Sequence, residues 1–198
     1  MPIQIENDIV IAGGEDISLI SFSQLVTRHL KKFTATLDLE QEAITLRHQN
    51  LPDDNLKRFI RNVCTWGLYP GIAGRILNQN NISTIKQQFQ KALNSLPDVY
   101  SSLQSLNYIR QLGSPSFASK HLRFLAPETC PILDSIISSR LDYSFNARGY
   151  KQLSDDCAKV GALLSLRQIT NPMNRPAGRW FVADVEMALF AHLTIKCG

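Results

Sequence analysis

The stretch from Leu106 to Leu141, LNYIRQLGSPSFASKHLRFLAPETCPILDSIISSRL, decides the fold. Apolar residues at helical spacing run up to Leu112, Gly113 then breaks the pattern, and after Ser114-Pro115 it restarts at Ser116 or Phe117 and continues to Leu125. Two helices joined by so short a turn leave backbone N–H groups of the turn and of the second helix's first turn without intrahelical partners. Such groups form a seat for a phosphate. Ser114 and Ser116 add hydroxyl donors, and Arg110, Lys120 and Arg123 add positive charge. Ala126-Pro127 stops the second helix. A loop then leads through Pro131-Ile132-Leu133 to Asp134, whose carboxylate stands at the mouth of a further helix with Ile136, Ile137 and Leu141 on its apolar face. In that position an aspartate is first of all an N-cap, a role compatible with chemistry.

Helical periodicity extends outward in both directions. Phe22, Leu25, Val26, His29 and Leu30 fall on one helix face, and Leu56, Phe59, Ile60, Val63 and Cys64 do the same after the capping run Pro52-Asp53-Asp54. Further helices are predicted over 70–78, 83–95, 98–112, 148–168 and 181–195, with Ser83 and Asp98 as caps. Asn171 to Gly178 is expected to form an irregular, exposed loop. Only Ile9-Val10-Ile11, ahead of Gly13-Gly14, reads as a strand. With no alternation of strand and helix, the expectation is an all-α fold: a single helical domain over 51–198, with residues 1–50 a short irregular segment containing at least one helix packed on it.

Composition narrows the function classes. The chain has 198 residues, 44% hydrophobic and 19% charged, enough for a core without disulfides or a structural metal. Cys64, Cys130, Cys157 and Cys197, and likewise the four histidines, are scattered without metal-ligand spacing. Free thiols and no metal or cofactor are therefore expected. No apolar run approaches a membrane span and the acidic amino terminus is unlike a signal peptide, so a cytoplasmic monomer with no membrane partner is expected. The formal charge of +4 lies wholly in the second half: residues 1–100 carry ten basic and ten acidic side chains, and 101–198 carry eleven and seven. That surplus coincides with the hairpin and suggests a basic surface.

On these residues the chain resembles a known family. Leu112 to Leu141 is similar to the helix-hairpin-helix DNA glycosylase motif, in which a Gly-containing hairpin, a helix and an apolar-apolar-Asp loop precede the next helix. SFASKHLRFLAPETCPILDS, together with WGLYPGIAGR at 66–75 and ADVEMALFA at 183–191, resembles bacterial 8-oxoguanine-glycosylase-like proteins. The likeness spans about 65–195.

The resemblance implies cleavage of the N-glycosidic bond of a damaged or modified base turned out of duplex DNA, in a bacterial, nucleoid-associated setting. It implies Asp134 as the catalytic carboxylate that stabilises an oxocarbenium-like sugar. It also implies phosphate and DNA contacts at Gly113, Ser114, Ser116, Arg110 and Arg123. Two departures stand out. Phe117 occupies the place of the family's nucleophilic lysine, and the hairpin lacks the second glycine of the usual Gly-x-Gly. Lys120, at i+3 on about the same helix face, is the candidate replacement nucleophile or a phosphate contact. Phe117, His121, Trp66, Tyr69 and Trp180 are candidate walls of a base pocket, each equally readable as packing; Arg75 and Arg110 read as well as ion-paired surface residues. Two alternatives remain open: a DNA-binding module of the same fold without chemistry, and an N-ribosyl hydrolase of free nucleosides or nucleotides.

Overall fold

The computed structural model describes residues 1–194 and is mostly helical. Cys197 and the predicted helix end at residue 195 lie outside the described residues. The chain begins with a three-stranded antiparallel meander, β1 (Gln4–Glu6), β2 (Ile9–Ala12) and β3 (Glu15–Ser18). Ile5 pairs with Val10, and Val10 with Ile17. The first segment is thus regular where irregular chain was expected. Val10, Ala12 and Ile17 point inward and are buried, which ties the meander to the helical core.

Ten helices follow among the described residues: α1 (Ser21–Lys32), α2 (Thr36–His48), α3 (Asp53–Trp66), α4 (Gly71–Gln79), α5 (Ile82–Asn94), α6 (Val99–Leu106), α7 (Ser116–Leu125), α8 (Ser135–Leu141), α9 (Ala147–Leu166) and α10 (Val182–Thr194). Their starts follow local chemistry. Asn81, Asp98, Asp134 and Asn146 each accept backbone N–H groups from the first turn of α5, α6, α8 and α9 respectively. The cap of α5 is therefore Asn81, with Ser83 as its donor, rather than Ser83 itself. Helix α6 ends at Leu106, short of the predicted 112, and Asn107 to Pro115 turn irregularly into α7. Asn80 fixes this turn: its side chain accepts from the Arg110 N–H at 2.9 Å and donates to the Arg110 carbonyl at 3.0 Å.

Helix α7 occupies the centre. Every residue from Phe117 to Leu125 is buried, so it has no solvent face. Helices α2, α3 and α6 pack against it, α10 lies along α1, and α9 runs beside both α6 and α10. One hydrophobic cluster joins the meander, α1 and the remaining helices.

The 171–178 loop is less exposed than expected. Asn171 and Met173 are buried, and Arg175 reaches inward to chelate Glu40 and Asp184. Cys64, Cys130 and Cys157 are buried free thiols, and no helix of the described residues is long and apolar enough to cross a membrane.

Candidate functional site

The ends of α1, α3 and α7, the loop before α8, and the middle of α10 converge on one cavity of about 240 Å³. Its lining includes Lys120 and Asp134, the two residues singled out for chemistry, together with Ser116, Phe117, Trp66 and Tyr69. An apolar cavity of about 150 Å³ holds a benzene ring, so there is room here for one flat heterocycle.

Asp134 is held by the start of α8. Its Oδ1 accepts the N–H groups of Ile136 and Ile137, both at 3.0 Å, which fixes the carboxylate at the cavity wall. Ile132 and Leu133 anchor the preceding loop as the sequence suggests: both are buried, and the Leu133 N–H donates to Ser119 Oγ of α7 at 3.1 Å.

Lys120 extends from the inner side of α7 and is only 8% exposed. Its Nζ donates to Ser116 Oγ at 3.0 Å and lies 5.0 Å from the centre of the Phe117 ring. Burial pulls the ammonium pKa down, against the opposing pull of Asp134, Glu186 and Cys64. Gly67, at the end of α3, lets this side chain pass: a Cβ there would meet Phe117 Cε1 at 3.1 Å and Lys120 Cδ at 3.2 Å.

The lining residues not singled out from the sequence as site residues include His29, Phe33, Glu186 and Phe190. His29 is 2% exposed, stacks on Phe33 at 4.7 Å between ring centres, and meets the Phe190 ring edge-on at 5.9 Å. Burial, with the charges of Arg123 and Lys32, takes its pKa down to about 3, so it is neutral at physiological pH. Glu186, one turn before Phe190 on α10, is 1% exposed. Burial, and then the Asp134 charge, push its pKa up to about 8, against Arg123, Lys120 and the Ile132 backbone. Both residues had a signal in the sequence: each is an ionisable side chain embedded in an otherwise apolar helix face.

Several expectations are corrected. Arg123 is not a surface contact: it is fully buried, pairs with Glu40 at 2.8 Å, donates to Met187 Sδ at 3.1 Å and lies 4.5 Å from the centre of the Phe124 ring. Of the three cations from Arg110 to Pro127, only Arg110 is exposed. Ser116 serves the cavity through Lys120. The first-turn amides of α7 are in part consumed, since both Phe117 and Ala118 N–H donate to the Gly113 carbonyl; Gly113 and Ser114 remain exposed. They line a separate groove of about 470 Å³ with Arg110, Phe145 and Asn146.

His121 is not a pocket wall. It is fully buried, its Nδ1 lies 2.7 Å from the Phe117 carbonyl, and its ring packs edge-on between Phe59 and Phe89. Trp180 also faces the core, donating through Nε1 to the Ile169 carbonyl at 2.8 Å and meeting Phe22 edge-on. Trp66 does line the cavity, with its indole N–H held by Thr36 Oγ1 at 3.0 Å. Tyr69 is 64% exposed at the rim beside Leu68, and its ring meets Phe117 edge-on at 6.0 Å. Arg75 is exposed, away from the cavity lining.

Comparison of the chain with protein-family models, curated proteins and solved structures finds no match.

Proposed function

We propose that the chain is a helix-hairpin-helix-type N-glycosylase that releases a damaged or modified base turned out of duplex DNA. The observation that carries this reading is that Lys120 and Asp134 open into the same aromatic-walled cavity, sized for one heterocycle. Two side chains facing opposite sides of the domain would have excluded it.

In this reading the base rests against Trp66 and Phe117, with exposed Leu68 and Tyr69 at the rim where the nucleotide leaves the stack. Asp134 stabilises the positive charge that grows on the sugar as the base departs. Lys120, its pKa lowered by burial, is the amine that can attack C1′. The hairpin residues Gly113 and Ser114, with Arg110, take the neighbouring phosphates.

Duplex oligonucleotides carrying a panel of modified bases, assayed for abasic sites, test the reading. Base release is expected, and Asp134→Asn should lower it by at least about a hundredfold, the usual cost of removing one electrostatic stabiliser. Asparagine is as good an N-cap as aspartate, so this variant keeps α8 and isolates the charge. Full activity in Asp134→Asn overturns the mechanism. Borohydride reduction during turnover should trap a covalent adduct that Lys120→Gln cannot form.

A second reading is favoured by the inward turn of Lys120 and Arg123, which strips this stretch of most of its basic surface. It is hydrolysis of a free nucleoside at the same cavity. Turnover of nucleosides with no DNA binding at low salt selects it over the first.

A further inference from the structure

The inner end of the cavity carries polar atoms that the chemistry above does not use. His29 is 98% shielded from solvent, and neither of its ring nitrogens has a hydrogen-bond partner. Glu186 is equally buried and its Oε2 is likewise without a partner. Both residues line the cavity. Folding a polar side chain into an apolar cluster without partners is destabilising, and nearly all buried polar groups in folded proteins avoid it. Stability alone would place Phe or Leu at position 29, since its neighbours are Phe33, Trp66 and Phe190. The other polar group on that wall is committed: the Trp66 indole N–H is taken by Thr36.

We infer that His29 and Glu186 read the edge of the bound ring: they hydrogen-bond a neutral heteroaromatic base presenting a donor beside an acceptor, while Phe33, Trp66 and Phe190 cover its apolar surface. This rests on the reading of the cavity as a base pocket, and adds which side chains select the base and what charge it carries.

Neutral imidazole offers one N–H donor and one lone-pair acceptor. His29 stays neutral because burial and the nearby Arg123 and Lys32 charges disfavour a second proton. Glu186 adds a carboxyl group whose one free oxygen, when protonated, donates. A lactam edge, N–H beside C=O, matches this set. A cationic ring set against the imidazole would meet the positive charges of Arg123 and Lys32 that already act there, so it is disfavoured at this wall even though Asp134 also lines the cavity. The placement is set by packing of α1 along α10. His29 meets Phe190, and Phe190 is one turn from Glu186, so the two groups lie on adjoining walls.

The test uses the 198-residue chain labelled with nitrogen-15 and follows the histidine ring nitrogens by NMR. Millimolar hypoxanthine or uracil should shift both His29 nitrogens, and 1-methylnicotinamide, a permanently cationic ring, should not. His29→Phe should bind the neutral bases at least about tenfold more weakly, the equivalent of one lost hydrogen bond. It should melt no lower than the wild type, since it removes unpartnered polar atoms from an aromatic cluster. His29→Gln, which keeps a donor and an acceptor, should recover part of the binding. A histidine that merely packs would leave the affinity for the neutral bases unchanged in His29→Phe.

Unmoved His29 resonances with every neutral base, equal binding of the cationic ring, or unchanged base choice and rate on DNA in His29→Phe would each overturn the inference. The last outcome would leave the glycosylase reading standing. Shifts of His29 by free base, together with no base release from any duplex, would instead sustain the inference and overturn the glycosylase reading.

Discussion

Two clusters of buried charge lie side by side around α7, and they are built on opposite rules. In the first, Arg123, Glu40, Arg175 and Asp184 form a chain of two cations and two anions. Arg123 pairs with Glu40 at 2.8 Å, Arg175 with Glu40 at 2.7 Å and with Asp184 at 2.6 Å, and Asp184 also accepts from Asn171 at 2.8 Å and from the Phe181 N–H at 3.1 Å. In the second, Lys120, Asp134 and Glu186 share a cavity. Asp134 spends its hydrogen bonds on one oxygen, Lys120 donates to the Ser116 hydroxyl, and Glu186 keeps an unpartnered oxygen. The first set is neutral and each of its carboxylates is paired with an arginine, although Nε of the buried Arg123 has no hydrogen-bond partner among the described residues; the pairing suits a brace that pins the 171–178 loop and α2 onto α7. In the second, again among the described residues, neither carboxylate is held in an ion pair, which suits groups proposed to meet a ligand.

The contrast can be broken by removing one charge from each cluster. Glu40→Leu orphans Arg123, which has no access to water, and should cost about 3–5 kcal/mol in urea unfolding. Lys120→Met, of similar length and also buried, should change stability by less than about 1 kcal/mol while lowering activity, because its ammonium holds no carboxylate in a closed pair. Equal losses in the two variants would remove the distinction between brace and site.

That distinction was only half legible in the sequence. The spacing located α7, the turn at Gly113 and the anchored loop to Asp134, because each is written in local terms: a positive-φ glycine, a cap and two buried apolar residues. It could not say where Lys120 and Arg123 point. Amphipathic reading assumes a wet face, and α7 has none, so two cations three residues apart were assigned to one surface when one enters the cavity and the other meets α2. The flanking strands β1 and β3 were hidden for a related reason: QIE is wholly exposed and EDIS buries a single residue, so neither shows the alternation that reveals a half-buried strand. His29 and Glu186 were visible only as polar exceptions on apolar faces, and their meeting depends on α1 lying along α10, a fact of packing.

Acid and base sharpen the comparison, because the two carboxyl groups titrate in opposite senses. Glu186 has a folded pKa of about 8, above its ordinary value of 4.5. The native state therefore holds its proton more tightly, and the stability this contributes, full below about pH 4.5, is lost as pH rises to about 8. Glu186→Gln should become progressively more stable than the wild type across that window, by about 2–4 kcal/mol at its upper end. Burial pushes the Glu40 pKa up, but Arg123 and Arg175 outweigh it and hold it below the ordinary value. Its contribution is present above the ordinary value and is lost on acidification through the folded one, so Glu40→Gln should approach the wild type in acid. His29 and His121, with pKa values lowered to about 3 and about 4, make both proteins less stable as pH falls below about 6.5, a background that the paired differences cancel. Parallel slopes for Glu186→Gln and Glu40→Gln would contradict the separation of the clusters.

The smallest expected effect comes from adding a single methyl group beside each cluster. Gly161 in α9 faces Trp180, two residues beyond the loop that the ion chain pins, and a Cβ there would come within 2.8 Å of the Trp180 carbonyl oxygen, which is backbone and cannot swing aside. Gly161→Ala should thus cost about 1–3 kcal/mol and leave base release per folded molecule unchanged. Gly67 has an ordinary φ of −74°, so alanine is not strained there. Its methyl group would press on the Phe117 ring and on the Lys120 stem, side-chain atoms that can yield by a few tenths of an ångström. Gly67→Ala should then keep stability within about 1 kcal/mol while lowering kcat several-fold with little change in KM, because a shift of Lys120 of that size misplaces the proposed nucleophile without closing the cavity. A drop in KM alone, or no kinetic change, would mean that the position of Lys120 is not what the cavity depends on.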